Sequence, residues 1–239
     1  MTKIVNSDYT KKLYNEKKAW PEKNMWHDYT KRKIIDVVEN IFNGYINPNA
    51  DILNIGSGGS TYRIKGTTFH LDIAETLIKN LKNSVVGSAE NIPFEDNRFD
   101  NIICVGSVIN YCNAMSVISE AHRVLKNNGY MILEFERSTS GEFLFTSYYN
   151  LSTFPKWYIY NNQSHMLWMY SEKYIKTLLK AYNFNIIKLI RFHNISALAN
   201  RFIDLNDKIL APLLRFDNAF NFLSKFISHN EIIICKKCE

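Results

Sequence analysis

A glycine-rich turn after the first apolar run is where the residue types and spacing of this chain first suggest chemistry. Asp51 to Tyr62 reads Asp-Ile-Leu-Asn-Ile-Gly-Ser-Gly-Gly-Ser-Thr-Tyr, an apolar run that stops in glycines and small hydroxyls. Glycine adopts backbone dihedrals closed to other residues and lets a ligand approach the main chain, so the stretch is typical of a buried strand ending in a ligand-holding turn. Sixteen residues after Gly56, a second apolar run ends in Asp72, whose carboxylate could accept hydrogen bonds from ribose hydroxyls. The turn and the acidic tip together predict a nucleoside-containing ligand.

Two kinds of nucleoside ligand compete for this turn. A dinucleotide site requires Gly-x-Gly-x-x-Gly or Ala, and the stretch from Gly56 to Thr61 lacks the small last residue. The stretch resembles instead motif I of class I S-adenosylmethionine-dependent methyltransferases, an acidic residue followed by x-Gly-x-Gly-x-Gly. Asn54 stands for the acidic residue and Ser60 for the third glycine, and an amide can still hydrogen-bond the turn or the methionine amino group. The alternative is an ordinary strand-to-turn corner.

A second segment, from Gly87 to Asp100, strengthens the resemblance. It reads Gly-Ser-Ala-Glu-Asn-Ile-Pro-Phe-Glu-Asp-Asn-Arg-Phe-Asp and is similar to the family's Asp-Ala-x-x-Leu-Pro-Phe segment, which is followed by a Phe-Asp that opens strand 4. In that family the first residue and the next backbone amide contact the adenine, and Ser88 and Ala89 hold those positions here. Serine in place of aspartate weakens the contact, although a hydroxyl can still accept one hydrogen bond.

The resemblance implies S-adenosylmethionine as the cofactor and requires no metal. It places the methionine end at the glycine turn, the ribose at Asp72 and the adenine at Ser88 and Ala89. The cofactor-binding residues that we predict are Asn54, Gly56, Ser57, Gly58, Asp72, Ile73, Ser88, Ala89, Glu90 and Val105.

Catalytic residues are harder to predict, because methyl transfer needs a general base only when the acceptor must lose a proton. Family members often carry a histidine near position 111, where this chain has Tyr111, and a phenol needs a lowered pKa to act as a base near neutral pH. His165 lies in an aromatic stretch that we expect near the ligand, although a lone histidine is often structural. Tyr111 and His165 are therefore the predicted catalytic residues, with lining and structural roles as their alternatives, and His193 and Glu136 are further candidates.

The alternation of strands and crossovers from Ile52 to Phe135 predicts an α/β fold. The resemblance specifies a Rossmann-like seven-stranded, mostly parallel sheet with helices on both faces and a helical insertion between the last two strands. We expect an N-terminal cap over 1–33 and a domain over 34–239, with an aromatic lid at 138–170 and the insertion at 194–228. Loop packing is the alternative for the aromatic stretch. Core packing and a membrane-surface helix are the alternatives for the insertion. The cap often folds over the cofactor in this family, so Tyr14, Trp20 and Trp26 are candidates for ligand contact or for packing.

Other local predictions follow from spacing and composition. Ala74 to Asn83 is predicted as a helix, whereas the few residues after Ser60 leave no room for one before strand 2. Four cysteines are too few for a disulfide framework, and Cys235 and Cys238 are predicted to be surface thiols. The polar N-terminus and the lack of an 18-residue apolar run predict a cytoplasmic protein without stable membrane insertion.

Charge and motif content limit the kinds of molecule that the chain is expected to bind. The 239 residues carry a net charge of +6 with scattered lysines and arginines, which suits an anionic small molecule as well as nucleic acid. No Asn/Asp-Pro-Pro-Tyr/Phe motif follows strand 4, where Val105-Gly106-Ser107 stands, so we predict a small-molecule acceptor and not nucleic acid. The predicted reaction is methyl transfer to an oxygen or nitrogen, with a sugar or sugar nucleotide as the preferred acceptor. A nicotinamide oxidoreductase and a non-catalytic binding protein are the alternatives, and the oligomeric state stays open.

Overall fold

A seven-stranded sheet is the centre of the computed structural model, which describes residues 11, 12, 14, 15, 24–160, 163–203 and 206–239. Most of the predicted N-terminal cap, including Trp20, lies outside these residues, as do positions 161 and 162 of the predicted lid and 204 and 205 of the insertion. The strands are β1 (Asp51–Ile55), β2 (Thr67–Asp72), β3 (Ser84–Val86), β4 (Phe99–Cys104), β5 (Leu125–Glu136), β6 (Thr153–Tyr160), β7 (Gln163–Tyr170), β8 (Phe184–Phe192) and β9 (Asn230–Lys237).

The large sheet has the order β3-β2-β1-β4-β5-β9-β8. The pairs among β1 to β5 are parallel, whereas β9 runs antiparallel to both β5 and β8. Its central strands are continuous apolar runs because both faces are covered, and Leu53, Ile55 and Ile102 are fully buried. The predicted fold class is confirmed.

Helices cover both faces of this sheet. One face packs against the helix Met25–Asp36 and the turns that follow it, through Ile34, Val38 and Phe42. The other face packs against the helices Ala114–Val124 and Glu172–Ala181, through Val117 and Ile175. None of the helices in the described ranges is long and apolar enough to cross a membrane. The helices are α1 (Met25–Asp36), α2 (Glu75–Ile78), α3 (Ala114–Val124), α4 (Glu172–Ala181), α5 (Ile195–Asn200), α6 (Asp207–Arg215) and α7 (Ser224–Ile227); a π-helical turn at Val37–Ile41 extends α1, and 3₁₀ turns lie at Phe42–Tyr45, Val108–Tyr111, Gly141–Phe143 and Asp217–Leu223.

The connections beside the glycine turn are shorter than in a regular α/β unit. No helix separates β1 from β2, as the spacing predicted. The helix predicted over 74–83 was wrong in length, because only Glu75–Ile78 is helical. Asn83 adopts a left-handed φ of 55°, and its carbonyl accepts a hydrogen bond from the His70 amide at 2.9 Å, so the chain turns early to start β3.

The aromatic stretch at 138–170 contains regular structure that the sequence analysis missed. β6 and β7 form an antiparallel hairpin in which Tyr158 lies opposite His165. Burial alternates along β6, where Phe154 is buried while Trp157 and Ile159 are exposed. Period-two alternation was hidden in the sequence because the exposed positions are also apolar. Cys235 differs from its prediction as well, since it is buried in the sheet, while Cys238 is exposed.

A buried arginine joins the helical insertion to the sheet. Arg137 follows β5, is fully buried, and pairs with Glu231 at 3.2 Å and with Glu172 at 3.1 Å. Its guanidinium also donates to the carbonyl oxygens of Ser224 and Lys225 in α7, at 3.1 and 2.9 Å, and to the carbonyl and hydroxyl oxygens of Ser228. One cation therefore connects two strands, α4 and the end of the insertion.

A buried glutamate fixes the turn after β4. Glu134 accepts hydrogen bonds from the amides of Gly106 and Ser107, at 2.9 and 2.6 Å, and from the Asn230 side chain at 2.7 Å. Burial, opposed by these hydrogen bonds, raises the pKa of Glu134 to about 7. The carboxyl thus holds a proton in the folded protein at pH values where it has lost that proton in the unfolded chain.

Replacing Arg137 by Met should lower the free energy of unfolding by about 3 to 5 kcal/mol, because the fully buried Glu231 loses one of its two cationic partners and the carbonyl oxygens of α7 lose their donor. Urea unfolding followed by far-ultraviolet circular dichroism measures the change. The control Lys126→Met removes the half-exposed pair with Asp100 and should cost less than about 1 kcal/mol. Equal effects of the two substitutions would contradict the structural role of Arg137.

Replacing Glu134 by Gln should change how stability depends on pH. Because the folded-state pKa lies above the ordinary value, the stabilisation from this group is present at low pH and is lost as pH rises toward 7. Relative to E134Q, the wild-type protein should therefore lose about 2 to 3 kcal/mol of unfolding free energy between pH 5 and pH 8. Urea titrations across this range measure the difference, with the exposed Glu95→Gln as control; parallel pH profiles of wild type and E134Q would refute the prediction.

Candidate active site

The carboxyl ends of the parallel strands meet at one edge of the sheet, where open α/β sheets bind ligands. Asp72 ends β2, Gly56 follows β1, Val105 follows β4 and Glu136 ends β5. These positions belong to four adjacent strands of the sheet order. The predicted cofactor residues are therefore brought to a single edge by the topology.

The glycine turn after β1 is held by its own side chains. Asn54 donates from its amide nitrogen to the Ser60 carbonyl oxygen at 3.2 Å and to the Ser57 hydroxyl at 3.4 Å. The Ser57 hydroxyl also lies 2.9 Å from Nδ1 of His70 on β2. Asn54, Ser57 and His70 are buried. The amide that replaces the family's acidic residue thus fixes the shape of the turn.

Glycine at position 56 is required by backbone geometry and by packing. Its φ is +63°, and a Cβ there would lie 2.3 Å from Cγ2 of Val108. Gly58 also has a positive φ, of 54°. Residues with a Cβ rarely adopt such values, so both positions favour glycine. The close approach of Val108 to Gly56 brings the turns after β1 and β4 together.

Asp72 connects the glycine turn to β2. Its Oδ2 accepts a hydrogen bond from the Gly58 amide at 2.7 Å, which ties Asp72 to the glycine turn. Its Oδ1 accepts a hydrogen bond from the Ala74 amide at 2.9 Å, which fixes the backbone that follows β2. The carboxylate is 7% exposed, and burial raises its pKa against the effect of these amides. Each carboxylate oxygen keeps a further acceptor site. Asp72 is therefore held in place and can still receive ribose hydroxyls.

The segment after β3 forms the third part of this edge. The Gly87 amide donates to the Asp72 carbonyl oxygen at 3.0 Å, which places Ser88 and Ala89 beside the tip of β2. The Ser88 hydroxyl accepts from the Glu90 amide at 3.1 Å, and Glu90 accepts from the Asn113 amide at 2.6 Å. The predicted adenine residues lie in a turn that is tied to both β2 and the start of α3.

The predicted catalytic residues lie together although 54 positions separate them in the chain. The Tyr111 hydroxyl is 3.2 Å from Nδ1 of His165, because the β6–β7 hairpin brings His165 over the 3₁₀ turn after β4. The ring of Tyr14 packs edge-on against both, with centroid distances of 5.7 and 6.4 Å. Three rings thus form an aromatic rim, which we define as Tyr14, Tyr111 and His165.

Two carboxylates, Asp72 and Glu136, lie close enough to the aromatic rim to affect the pKa of Tyr14. Burial raises the pKa of Tyr14 to about 12, and the negative charges of Asp72 and Glu136 add to the effect. The rim therefore lies close to both acidic tips, and the two carboxylates provide negative potential suited to a sulfonium cation. The residues at this edge fit an adenosyl sulfonium cofactor, because Asp72 can accept hydrogen bonds from ribose, Gly56, Gly58 and Gly59 lack Cβ atoms, and Asp72 and Glu136 are acidic. Among the described residues, no three side chains of His, Cys, Asp or Glu converge as metal ligands would.

Glu136 has a buried partner that sequence reasoning missed. Its Oε1 accepts from the Ser107 hydroxyl at 2.9 Å, and its Oε2 lies 3.2 Å from Nε2 of His229. Burial disfavours both charged forms, but the pairing outweighs it, so the pKa of Glu136 is lowered and that of His229 is raised. The antiparallel register places Glu136 opposite Asn230, so His229 becomes visible only once β5 is paired with β9.

His193, a further candidate for the general base, is enclosed by packing and hydrogen-bonding partners. The ring of Trp26 stacks on it with a centroid distance of 3.8 Å, and its two nitrogens lie 2.9 Å from the Thr30 hydroxyl and 3.0 Å from the Ser196 hydroxyl. It is fully buried, and burial lowers its pKa well below the ordinary value. Trp26 and His193 thus attach α1 to the insertion.

Comparisons with known proteins agree with this geometry. Residues 53–133 match the model of a family described as a methyltransferase domain. The chain is 34% identical over 109 residues to an uncharacterised protein of Methanocaldococcus jannaschii, covering 43% of each chain. It is 28% identical over 168 residues to a ubiquinone/menaquinone biosynthesis C-methyltransferase of Rickettsia felis, covering 60% of this chain and 63% of the relative. Both matches span less than two thirds of the relative's length.

Among solved structures, the fold is similar to that of 1,6-didemethyltoxoflavin-N1-methyltransferase of Burkholderia thailandensis, whose structure contains S-adenosylhomocysteine. The TM-score is 0.55 at 12% identity, with 98% of this chain and 87% of that chain covered. The fold predicted from the motifs is thereby confirmed. Residues 53–133 match a methyltransferase domain, as the motifs predicted, and the chain shares the fold of solved S-adenosylmethionine-dependent methyltransferases.

Proposed function

We propose that this protein transfers a methyl group from S-adenosylmethionine to a small molecule that carries an ionisable hydroxyl. The observation that supports this proposal most is the position of the buried Asp72 carboxylate. It accepts a hydrogen bond from the Gly58 amide at 2.7 Å, so the residue proposed to bind the ribose is joined to the turn proposed to bind the methionine end. The bound cofactor supplies an electrophilic methyl on a sulfonium. The protein then needs to hold the acceptor in line with that methyl in a site from which water is excluded.

In this proposal each predicted cofactor residue has one task. Asp72 accepts the ribose hydroxyls, and the turn formed by Gly56, Ser57 and Gly58 receives the methionine end, with Asn54 keeping the shape of that turn. The segment from Ser88 to Glu90 supports the adenine, while Ile73 and Val105 line its sides.

The acceptor side is the aromatic rim of Tyr14, Tyr111 and His165. Three rings in edge-on contact form a surface that suits a flat ring, because aromatic pairs prefer edge-to-face or offset packing. We therefore favour a hydroxylated aromatic ring over the sugar or sugar nucleotide that the sequence analysis preferred. The similarity to a ubiquinone/menaquinone biosynthesis C-methyltransferase agrees with a ring acceptor, methylated on oxygen or on a neighbouring carbon.

Proton removal is the step that the rim can assist. Loss of the hydroxyl proton raises the electron density of an aromatic ring at both oxygen and ring carbon, so one base can start either outcome. After methyl transfer to carbon, the proton on that carbon is lost and the oxygen regains a proton, which restores the aromatic ring. His165 and Tyr111 share a 3.2 Å contact through which a proton can pass between phenol and imidazole. Glu136 stays ionised because its pairing with His229 lowers its pKa, and its charge favours a positive methyl donor.

Replacing Asp72 by Ala should weaken binding of S-adenosylmethionine and S-adenosylhomocysteine by about 10- to 100-fold, because hydrogen bonds to a charged acceptor are lost. Isothermal titration calorimetry measures the affinities, with NAD and NADP as competing ligands. The control Asp207→Ala changes an exposed carboxylate at the start of α6 and should bind normally. Preference for NAD would support the oxidoreductase alternative, and failure to bind any of these ligands would support the non-catalytic one.

Replacing His165 by Asn should lower kcat by about 100-fold and leave the affinity for S-adenosylhomocysteine unchanged, because only proton transfer is affected. Transfer of a radiolabelled methyl group is measured with a panel of phenols, hydroquinones and nucleotide sugars. Tyr158→Phe is the matched control, since Tyr158 lies opposite His165 on the hairpin and its hydroxyl donates to Glu142 at 3.1 Å. Labelling of nucleotide sugars alone would refute the ring acceptor, and an unchanged kcat in H165N would refute the role of His165.

A further inference from the structure

Large apolar side chains are exposed mainly in two segments of the described chain. Phe145 is 83% exposed, Phe202 65% and Phe226 53%, values that are high for phenylalanine. Outside these segments the exposed apolar side chains, such as Met115 and Ile187, are isolated along the chain. The exposed residues are Phe145, Tyr148, Leu151, Trp157 and Ile159 in the first segment, and Phe202, Ile203, Ile209, Phe216, Phe222 and Phe226 in the second.

The two segments lie side by side. Arg201 donates to the Leu144 carbonyl oxygen at 3.2 Å, and the Tyr149 hydroxyl donates to the Phe226 carbonyl oxygen at 2.9 Å. Gly141 packs so closely on α5 that a Cβ there would lie 2.7 Å from Cα of Leu198. The two segments are therefore in contact, and we call the exposed apolar residues of 145–159 and 202–226 together the apolar face.

Core packing accounts for only one side of the insertion. Leu210 and Leu214 of α6 are buried, whereas Ile209 and Phe216 are exposed. A helix whose apolar residues occupy both sides needs a second apolar contact beyond its own core. The apolar face is thus not used for packing among the described residues.

The charges beside the apolar face are mostly positive. Between residues 195 and 228 the described, exposed charged residues are Arg201, Lys208, Arg215 and Lys225 against the single acid Asp207, because Asp217 is buried. The Arg201 guanidinium and the Lys225 ammonium each lie 6.0 Å from the ring centre of a neighbouring exposed phenylalanine. Cations placed around exposed aromatic rings match an interface in which anionic groups lie above an apolar layer.

We propose that the apolar face binds the surface of an anionic phospholipid bilayer. The rings would enter the boundary between headgroups and acyl chains, and the four cations would contact lipid phosphates. The described helices are too short to span a bilayer, so attachment is confined to one leaflet. This proposal rests on exposure and charge, and it does not depend on the identity of the acceptor.

Co-sedimentation with lipid vesicles tests the proposal. The full chain should bind vesicles of mixed phosphatidylcholine and phosphatidylglycerol more tightly than vesicles of phosphatidylcholine alone, and added salt should weaken the binding. The double variant Phe202→Ser/Phe226→Ser should lose more than about tenfold in affinity. Arg215→Gln and Lys225→Gln should each lose about fivefold on the anionic vesicles.

The matched control is Met115→Ser/Ile187→Ser, which removes two exposed apolar side chains that lie outside the apolar face. This variant should bind vesicles as the wild type does, and thermal unfolding checks that both double variants are folded. Equal loss in both double variants, or no binding of anionic vesicles by the wild type, would overturn the proposal. So would concentration-dependent self-association that Phe202→Ser/Phe226→Ser abolishes in the absence of vesicle binding, since the face would then join two copies of the chain.

Discussion

The buried guanidinium of Arg137 is the interaction on which the arrangement of the acceptor side depends. It pairs with Glu231 on β9 and Glu172 on α4, and it caps carbonyl oxygens of α7 at the end of the insertion. A buried cation is costly unless it is paired and hydrogen-bonded, so the elements around it can pack in few other ways. Arg137 directly follows Glu136, and its partners fix the segment that carries His229. The same contacts that attach the insertion therefore align the Glu136–His229 pair.

Two glutamates on β5 show how neighbouring carboxylates acquire different roles. Glu134 and Glu136 are two residues apart and point to the same face of the strand. Glu134 is fully buried and accepts hydrogen bonds only from neutral groups, so burial raises its pKa. Glu136 faces His229 and accepts a hydrogen bond from the Ser107 hydroxyl, and this pairing lowers the pKa of Glu136 despite its burial. One carboxyl thus holds the turn at Gly106 and Ser107, while the other contributes charge to the site.

The sequence was sufficient to predict the fold, and it identified residues that the fold brings to one sheet edge, because that information is local. The glycine turn, Asp72 and the segment from Ser88 lie within a few residues of strands whose order follows from βαβ topology. The contact of Tyr111 with His165 depends on a hairpin that carries apolar residues on both faces, so its period was hidden. The roles of His229 and Arg137 could not be predicted either, because their partners are distant in the sequence. His229 meets Glu136 only when β9 pairs with β5, and Arg137 meets residues of α4 and α7 only in the folded chain.

Two described residues before α1, Tyr14 and Asn15, contact the sheet edge that carries the candidate site. Asn15 accepts a hydrogen bond from the Thr76 amide at 3.3 Å, and the adjacent Tyr14 packs on Tyr111, so these two residues reach from the tip of β2 to the turn after β4. Tyr14 lies near both Asp72 and Glu136, over the space where a sulfonium nucleoside would bind. In the proposed function Tyr14 therefore belongs both to the cofactor side, through its neighbours Asp72 and Glu136, and to the acceptor rim, through its contact with Tyr111.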